Sequence, residues 1–493
     1  MDVAIVASEA VPFAKTGGLA DVAGALPPAL ARLGHNVSLF LPGYSQARRA
    51  GVELRPTGVA FPVDMAGRAV EARVLTARLP GSDVDVYFID QPAYFDRDGL
   101  YQHLGADYGD NCERFAFFSR AVITAIGKLG RVPDIIHCND WQSALIPVLL
   151  RERHRDDPAF RRVGTLLTVH NLAYQGVFWH WDMPLLGVGW GPFRWDRLEY
   201  HGRINFLKGG LVDADLLNTV SPTYAREIQR PELGCGLDGL LRGRSADLRG
   251  IVNGIDKSAW NPAVDPLIAS RYDPSSFLAG KAACKAFLQR RSGLIERPDV
   301  PLFAQIGRLD PQKGWDLLAD VADELLEKDV QLVVLGEGAA RYKERLDHLA
   351  ARHPGKVRAF LEFSNALAHQ IEAGADLFLM PSLYEPCGLN QLYSLAYGTV
   401  PVVHATGGLA DTVVDATAEA LDAGRATGFA FDRPDAEGLR GAVDRALAAY
   451  ADPGTWPRLV AAGMAADWSW DRSAAAYERL YEDIRRRRRG EGR

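Results

Sequence analysis

A hexapeptide that occurs twice constrains the fold of this chain more than any other feature of its sequence. Thr-Gly-Gly-Leu-Ala-Asp stands at Thr16–Asp21 and again at Thr406–Asp411. Each copy follows an apolar, strand-like run and precedes a helix-like run, and such a turn presents backbone N–H groups and the helix dipole to an anion. A single Gly-Gly turn also serves as a plain helix entry. The matching context of both copies favours two nucleotide-binding-like domains that share one phosphate-bearing ligand.

Short apolar runs alternate with helix-like segments along the whole chain. These runs lack the polar–apolar alternation of a half-exposed sheet, as expected for strands that helices cover on both faces. The pattern predicts an α/β chain built from doubly wound sheets. The predicted strands are Val3–Ala7, Asn36–Leu41, Val84–Ile89, Ile135–His137, Gly164–Val169, Leu216–Val220, Leu302–Ile306, Val330–Leu335, Val357–Phe360, Leu377–Met380 and Val400–Val403.

A turn-rich stretch around residues 253–265 divides this pattern into two halves. A chain of 493 residues is too long for one ordinary core, so we expect two large domains, 1–255 and 256–470. Segment 471–493 is predicted to be helical, and the sequence leaves open whether it crosses back to the N-terminal domain. Doubly wound folds bind ligands beyond the carboxyl ends of their strands, so we expect the domains to face each other across a ligand-binding cleft.

Composition argues against several functional classes. A hydrophobic content of 47% and a charged content of 24% are those of a soluble globular protein. The net charge of −6 gives no electrostatic reason to expect nucleic-acid binding, and the basic run Arg485–Arg489 is best explained as a solvated helix end. We expect no membrane association, since no apolar stretch is long enough to span a bilayer, and the N-terminus does not resemble a signal peptide.

The cysteines and the missing motifs restrict the chemistry further. The chain has 5 cysteines, widely spaced and without a CxxC pair, which favours a reducing, cytoplasmic compartment. The sequence contains no GxSxG, no GxxxxGK[ST] phosphate loop and no cluster with metal-ligand spacing. We therefore expect neither a metal nor a cofactor.

Two polar clusters follow predicted strands of the first half. Lys15 stands directly before Gly17 and Gly18, and a cation beside an N–H-lined turn suits a phosphate or an anionic leaving group. Elsewhere a single lysine is simply a surface residue. His170 and Asp140 each follow a predicted strand, where a doubly wound fold places functional loops. A lone histidine is more often a hydrogen-bonded core residue, so the functional interpretation of His170 depends on that position.

Two further clusters lie in the second half. Arg308 offers a planar fork for phosphate oxygens and Lys313 a point charge, although both also fit a solvated loop. Glu385 precedes a turn and a helix start, where it either contacts sugar hydroxyls or serves as an ordinary helix-entry acid. Cys387 has no visible activating partner, so we interpret it as structural or as a backbone donor. Cations and one carboxylate suit transfer from a donor with a diphosphate leaving group.

These motifs resemble those of bacterial glycogen synthases and plant starch synthases. The resemblance rests on Lys15–Asp21, Gly307–Gly314, Glu385–Gln391 with Tyr393, and Thr406–Asp411, with support from Val220–Ala225 and Val252–Asp256. It spans nearly the whole chain. It implies two Rossmann-like domains in the GT-B arrangement. It also implies retaining transfer of glucose from ADP-glucose to the non-reducing end of an α-1,4-glucan, without a metal.

The resemblance implies catalytic roles for five residues. Arg308 and Lys313 would stabilise the leaving ADP, and Glu385 would face the glucose hydroxyls. His170 would contact the transferred glucose, and Asp140 would lie near the junction of donor and acceptor.

It also implies a set of substrate-binding residues. Asn253 would lie near that same junction, and Phe363 would stack on adenine at a position where the family more often has Tyr. The remaining expected binding residues lie in turns and helix entries: Lys15, Gly17, Gly18, Asp21, Cys387, Gly388, Leu389, Thr406, Gly407 and Gly408.

Some features differ from the family pattern or leave the activity open. Asn139–Gln142 reads Asn-Asp-Trp-Gln where His-Asp-Trp-His is more usual, which leaves the acceptor side in question. Tyr393 stands where many broader GT-B transferases have a second Glu, which argues against a sucrose-phosphate-synthase-like activity. UDP-glucose is an alternative donor. The residues also leave open a catalytically inactive nucleotide-sugar-binding protein and a glucan phosphorylase, which would need pyridoxal phosphate.

Overall fold

The computed structural model describes residues 1–103 and 105–490. The chain forms two compact units. Unit 1 combines Met1–Gly254 with Trp470–Arg493, and unit 2 is Ile255–Ser469. Each unit has its own central sheet covered by helices, so the two are described separately.

The main sheet of unit 1 is mostly parallel and buried. Its strand order is β14-β13-β9-β8-β1-β2-β5-β4-β3, and among the described residues only the pairs β3–β4 and β4–β5 of this sheet are antiparallel. Three short strands, β10, β12 and β11, form a separate antiparallel sheet. The strands are β1 Asp2–Val6, β2 Asn36–Pro42, β3 Arg55–Met65, β4 Arg68–Arg78, β5 Asp85–Asp90, β6 Gln102–His103, β7 Ala106–Asp107, β8 Ile135–Asn139, β9 Gly164–Val169, β10 Val177–Trp179, β11 Glu199–Tyr200, β12 Arg203–Asn205, β13 Leu216–Thr219 and β14 Leu248–Gly250.

Helices cover both faces of this sheet. Their apolar sides meet the continuous apolar strands, which removes water from both faces of the sheet. The helices before the second unit are α1 Gly18–Arg32, α2 Ser45–Arg48, α3 Pro92–Phe95, α4 Asn111–Lys128, α5 Asp140–Ser143, α6 Leu145–Arg153, α7 Met183–Leu186, α8 Phe206–Asp213, α9 Pro222–Glu227 and α10 Asp238–Gly243.

The C-terminal helix, α20 (Trp470–Arg489), belongs to unit 1. Polar groups attach it to the sheet: the Tyr481 hydroxyl lies 2.8 Å from His137 Nδ1, and Asn218 donates to the Tyr477 hydroxyl at 3.0 Å. In the basic run, Arg487 pairs with Asp247 and Arg488 with Asp215.

Unit 2 contains a fully parallel sheet. Within the described part of the chain its order is β17-β16-β15-β18-β19-β20. The strands are β15 Leu302–Ile306, β16 Gln331–Leu335, β17 Val357–Phe360, β18 Leu377–Met380, β19 Val400–His404 and β20 Phe429–Phe431. The helices are α11 Phe277–Ser292, α12 Trp315–Glu327, α13 Ala340–Arg352, α14 Asn365–Gly374, α15 Asn390–Tyr397, α16 Gly407–Thr412, α17 Ala418–Asp422, α18 Ala436–Tyr450 and α19 Trp456–Ala465.

Both sheets have the doubly wound topology that the sequence predicts. The chain order reverses between β1 and β8 in unit 1 and between β15 and β18 in unit 2. At such a switch point the loops on either side diverge and leave space for a ligand at the carboxyl ends of the strands. A binding site is therefore expected at the loops after β1, β8, β15 and β18. No helix among the described residues is long and apolar enough to cross a membrane.

Candidate active site

The first glycine turn, between β1 and α1, is organised by an acid that sequence reasoning missed. Glu9 Oε2 accepts hydrogen bonds from the backbone N–H groups of Thr16 at 2.6 Å and Gly17 at 3.0 Å. Glu9 Oε1 accepts the Thr16 hydroxyl at 2.6 Å and the Tyr101 hydroxyl at 2.7 Å. A buried carboxylate of the protein itself thus occupies amides that the sequence assigned to a ligand anion. The space beside Gly17 is open, with no atom within 4 Å of the position that a Cβ would take.

Lys15 and Asp21 form an ion pair at the start of α1. Lys15 Nζ lies 2.7 Å from Asp21 Oδ1, and the Lys15 side chain is 45% exposed. Burial raises the pKa of Asp21, while the neighbouring Lys15 ammonium opposes that rise. The lysine is therefore held by a carboxylate of α1 and remains partly exposed.

Asp140, directly after β8, has an unusual backbone. Its φ of 56° lies in the left-handed region, which costs free energy for a residue other than glycine and is common at functional sites. Its Oδ1 accepts the backbone N–H of His170 at 2.7 Å, which joins the ends of β8 and β9. Burial raises the pKa of Asp140 to about 7 even though this hydrogen bond favours the carboxylate.

His170 is brought beside Asp140 as a neutral ring. Its Nε2–H donates to Asn139 Oδ1 at 2.9 Å, and burial lowers its pKa to about 3. A neutral imidazole acts as a hydrogen-bond partner for a hydroxyl rather than as a cation. Asn253 is buried in the same unit, and its Oδ1 has no hydrogen-bond partner among the described residues.

In unit 2 the structure pairs two of the predicted catalytic residues. Lys313 Nζ lies 2.6 Å from Glu385 Oε2, and the Ser382 hydroxyl donates to the same oxygen at 3.1 Å. Lys313 ends the loop after β15 and Glu385 lies in the loop after β18, so the switch point of the sheet brings them together. The carboxylate is buried, and its charge is balanced by the lysine.

Arg308 lies on the same loop as Lys313 but is more open. Its guanidinium is 3.3 Å from Asp310 and donates to Gln312 Oε1 at 3.2 Å, while the side chain is 56% exposed. The indole of Trp315 donates to the Arg308 carbonyl at 2.7 Å and fixes the backbone of the loop. Gln312 donates in turn to the Tyr384 carbonyl at 3.1 Å, which connects this loop to the Glu385 loop.

The second glycine turn packs against the Glu385 loop. The Gly408 N–H donates to the carbonyl of Glu385 at 3.1 Å. A Cβ on Gly407 would lie 2.0 Å from the Glu385 carbonyl, and one on Gly408 would lie 2.1 Å from that of Cys387. The protein itself therefore requires both glycines, and this turn positions Glu385 through backbone contacts.

Of the remaining predicted binding residues, Gly18 begins α1 in unit 1, and three lie in or next to the Glu385 loop. Cys387 is buried, Gly388 has a φ of 72°, and Leu389 is the N-cap of α15. Phe363, by contrast, follows the edge strand β17, and its ring is 79% exposed. Sequence reasoning missed Glu9, Tyr101 and Ser382. The sequence signal for Glu9 is that an acidic residue stands in the otherwise apolar stretch after β1.

Known proteins resemble this chain over its whole length. A family model described as "Starch synthase catalytic domain" matches residues 2–243, and one described as "Glycosyl transferases group 1" matches residues 289–453. The chain is 50% identical over 485 residues to a glycogen synthase of Anaeromyxobacter sp. (strain Fw109-5), covering 98% of this chain and 99% of that relative. It is 47% identical to a glycogen synthase of Rhodopirellula baltica, covering 99% of each. The chain belongs to the glycogen and starch synthase family.

A solved structure supports the same assignment. The catalytic domain of Starch Synthase IV from Arabidopsis thaliana, bound to ADP and acarbose, matches with a TM-score of 0.90 and 33% identity. The match covers 98% of this chain and 99% of that one. The architecture is therefore GT-B, as the resemblance implied, and the chain is a glycosyltransferase of glycogen synthesis.

Proposed function

We propose that the enzyme transfers glucose from ADP-glucose to the non-reducing end of an α-1,4-glucan with retention of configuration. The observation that carries the proposal is a lysine–carboxylate pair in the switch-point loops of each sheet. Lys15 lies 2.7 Å from Asp21 in unit 1, and Lys313 lies 2.6 Å from Glu385 in unit 2. The ADP and acarbose bound to the similar starch synthase support a nucleotide donor and a glucan acceptor.

The residues of unit 2 act on the leaving group. Arg308 is open to solvent and offers its guanidinium to the diphosphate, which carries more negative charge as the bond from glucose C1 to the phosphate oxygen breaks. Lys313 shares its charge between that diphosphate and Glu385. Glu385 accepts hydrogen bonds from the glucose hydroxyls and stabilises positive charge on the sugar ring.

The residues of unit 1 hold the transferred glucose and the acceptor. Neutral His170 contacts a hydroxyl of the glucose, and Asp140 and Asn253 lie where donor and acceptor meet. Lys15, beside the open space at Gly17, contacts the donor. The 4-hydroxyl of the acceptor attacks C1 from the side of the leaving group, and its proton passes to the departing phosphate oxygen. We propose no covalent intermediate, and assign Glu385 to the charge pair with Lys313 and Glu9 to the Thr16 and Gly17 amides.

The remaining predicted binding residues complete this assignment. We propose that Phe363 stacks on adenine, for which its exposed ring is available. Gly18 and Asp21 belong with the donor site at the start of α1. Cys387, Gly388 and Leu389, with Thr406, Gly407 and Gly408, form the backbone around Glu385. The cysteines are all free thiols, which supports a reducing, cytoplasmic location.

Nucleotide release tests the proposal. The purified enzyme is given ADP-glucose or UDP-glucose, each with and without a malto-oligosaccharide primer, and the released nucleotide is measured. We expect primer-dependent ADP release, with much slower release of UDP. The product should be cleaved by an α-specific and not by a β-specific glucosidase. If UDP is released faster than ADP, the donor is UDP-glucose and not ADP-glucose. If no nucleotide is released from either sugar, the proposal is contradicted.

A further inference from the structure

His404 is a buried histidine at the end of β19, and the transfer reaction proposed above does not use it. It is 7% exposed, and its backbone pairs with Phe431 of β20. The pairing between β18 and β19 ends one residue earlier, at Met380 and Val403. His404 therefore stands at the carboxyl edge of the sheet, where the loops of the candidate site in unit 2 begin.

Both ring nitrogens of His404 face backbone carbonyl oxygens. Nδ1 lies 2.7 Å from the Ser382 oxygen, and Nε2 lies 3.2 Å from the Asp432 oxygen. Ser382 lies in the loop after β18, and Asp432 directly follows β20. These two strands flank β19 in the sheet, so the side chain joins the loops on either side of its own strand.

A neutral imidazole does not satisfy this arrangement. It carries one N–H, so its other nitrogen would turn a lone pair toward a carbonyl oxygen, which is also rich in electrons. Such a mismatch is costly in a buried place, where water does not relieve it. An imidazolium donates from both nitrogens, and hydrogen bonds from a charged donor are stronger than neutral ones. The two carbonyl oxygens therefore favour the cationic ring.

The Ser382 end of this connection leads to the carboxylate of the candidate site. Ser382 is 1% exposed, and its hydroxyl donates to Glu385 Oε2 at 3.1 Å. Its carbonyl lies against the His404 ring, and the next residue, Leu383, donates its N–H to the Gln312 carbonyl at 2.8 Å. Ser382 is thus fixed on both sides, and its hydroxyl is held where it meets Glu385.

The backbone of His404 acts on the same loop. Its carbonyl accepts the Thr406 N–H at 2.8 Å at the start of the second glycine turn, and that turn donates from Gly408 to the Glu385 carbonyl at 3.1 Å. His404 therefore reaches the Glu385 loop by two routes, one through its ring and one through its backbone. A substitution of the side chain removes the first route and leaves the second in place.

We propose that His404 is a positioning residue for Glu385 and that its ring acts as an imidazolium with both N–H groups donated. The proposal rests on the proposed function for the role of Glu385. A carboxylate that acts on the glucose ring has to be held closely, because a displacement of about 1 Å can lower the rate about 10²-fold. In this assignment His404 acts through Ser382 and not on the substrate.

NMR of the wild-type enzyme tests the state of the ring without substrate. The protein is prepared with isotope-labelled histidine, and the His404 signals are identified by their loss in His404→Arg. We expect two protonated ring nitrogens at neutral pH, each coupled to its own hydrogen. The pattern of a neutral ring, with one bare nitrogen, would overturn the proposal.

The kinetics of two variants test the link to Glu385. His404→Phe keeps a ring without an N–H and should lower kcat by about tenfold, because the loop loses an anchor. Its KM for ADP-glucose should change little, since the groups assigned to the diphosphate are untouched. His404→Arg keeps a cation with several N–H donors and should retain most of the kcat. An unchanged kcat in His404→Phe would overturn the proposal, as would an equally large loss in His404→Arg.

His369→Phe is the matched control. His369 is also buried in unit 2, but its ring lies 2.7 Å from the Asp265 carboxylate and stacks on Trp260. This variant should unfold at a lower urea concentration and keep its kcat. If its kcat fell as far as that of His404→Phe, turnover would merely follow stability, and the positioning role would be wrong.

Ser382→Ala tests the route of the effect. It removes the hydroxyl that His404 holds against Glu385, so it should lower kcat by itself. The double variant His404→Phe/Ser382→Ala should lose less than the product of the two single effects, because both act on one contact. Independent effects that multiply would overturn the assigned route. Circular dichroism of each variant verifies that the fold is retained.

The two proposals fail separately. If the wild-type enzyme releases ADP and His404→Phe does so at the same rate, the positioning role is wrong and the proposed function stands. If the wild-type enzyme releases no nucleotide, the proposed function fails. Two protonated ring nitrogens would then still support the doubly donating ring, because that measurement needs neither donor nor acceptor.

Discussion

The two copies of Thr-Gly-Gly-Leu-Ala-Asp have the same sequence and opposite surroundings. In the first copy a side chain, Glu9, fills the amides of the turn, and the space beside Gly17 is open. In the second copy the turn packs against the backbone of the Glu385 loop. The Gly408 N–H donates to the Glu385 carbonyl, and a Cβ on Gly407 or Gly408 would collide with that loop. A repeated motif therefore indicates a shared local conformation, and its role depends on what the rest of the fold brings to it.

The difference between the two turns also predicts which glycine substitutions affect stability and which affect ligand binding. Around the second copy the glycines are required by packing within unit 2, so their loss should disturb the fold near Glu385. Around the first copy Gly17 is not required by any neighbouring protein atom, so its loss should act on a ligand. Substitutions in each turn and in the side chains that support it should therefore tell the two roles apart.

Lys313→Ala should have the largest effect. It removes a cation from the leaving group and leaves buried Glu385 unpaired, so turnover should fall by about 10²-fold or more. The free energy of unfolding should fall by about 3–5 kcal/mol. The double variant Lys313→Ala/Glu385→Gln should recover much of the stability and none of the turnover, as measured by urea unfolding and ADP release. Recovery of both would show that the pair is only structural.

Gly408→Ala and Gly17→Ala compare the two copies directly. Gly408→Ala forces a methyl group into the Cys387 carbonyl and should cost about 1–3 kcal/mol of stability, with a fall in turnover because Glu385 shifts. Gly17→Ala should change stability by less than about 0.5 kcal/mol and should raise the KM for ADP-glucose. Urea midpoints and steady-state kinetics separate the effects, and the opposite ranking would refute the comparison.

Glu9→Gln tests the internal acid of the first copy. The amide keeps the size of the side chain but weakens the charge-assisted bonds to Thr16 and Gly17, so stability should fall by about 1–3 kcal/mol. The KM for ADP-glucose should rise as well, since Lys15 lies on the same turn. In the second copy the Thr406 N–H donates to the His404 carbonyl at 2.8 Å. Unchanged stability and KM would mean that the turn holds its shape without Glu9.

Asp21→Asn should have the smallest effect. The pair with Lys15 is half exposed, so its loss should cost less than about 1 kcal/mol and matter less at high salt. Burial raises the pKa of Asp21 above 3.8, so the folded wild type holds this proton more tightly than the unfolded chain. Its stability should therefore decline as the pH rises through the range just above 3.8, and Asp21→Asn should lack that decline. Unfolding measured across this range, with Lys15→Ala as the matched variant, checks the sign.

The central strands were predictable because burial leaves a clear mark on the sequence. Every run predicted as a strand is a strand, with bounds that differ by at most two residues. Strands that helices cover on both faces of a parallel sheet are mostly apolar, so a nearly continuous apolar run identifies them. The hairpin of β3 and β4 was missed because its exposed face carries polar residues, and Pro56, Gly58 and Pro62 resemble loop signals.

The site was predictable only in part. The sequence predicts Arg308, Lys313 and Glu385 as site residues because each lies in a loop that follows a predicted strand, and the structure pairs Lys313 with Glu385. Glu9 could not, because its role comes from contacts that include Tyr101, which is 92 residues away. The second glycine turn was expected to face a ligand, but its contact with the Glu385 loop depends on how β18 and β19 are paired. The local sequence indicates which secondary structure a segment favours. The role of a residue depends on contacts with residues that are distant in the sequence.

The position of α20 has a consequence for the order in which the protein is made. The main sheet of unit 1 is covered by a helix that is synthesised after the whole of unit 2, so the hydrogen bonds from His137 and Asn218 to Tyr481 and Tyr477 cannot form before unit 2 has been made. Unit 2, which is continuous in sequence, can finish folding before unit 1 does. A fragment that ends at residue 254 would therefore expose the polar groups and the apolar surface that α20 covers.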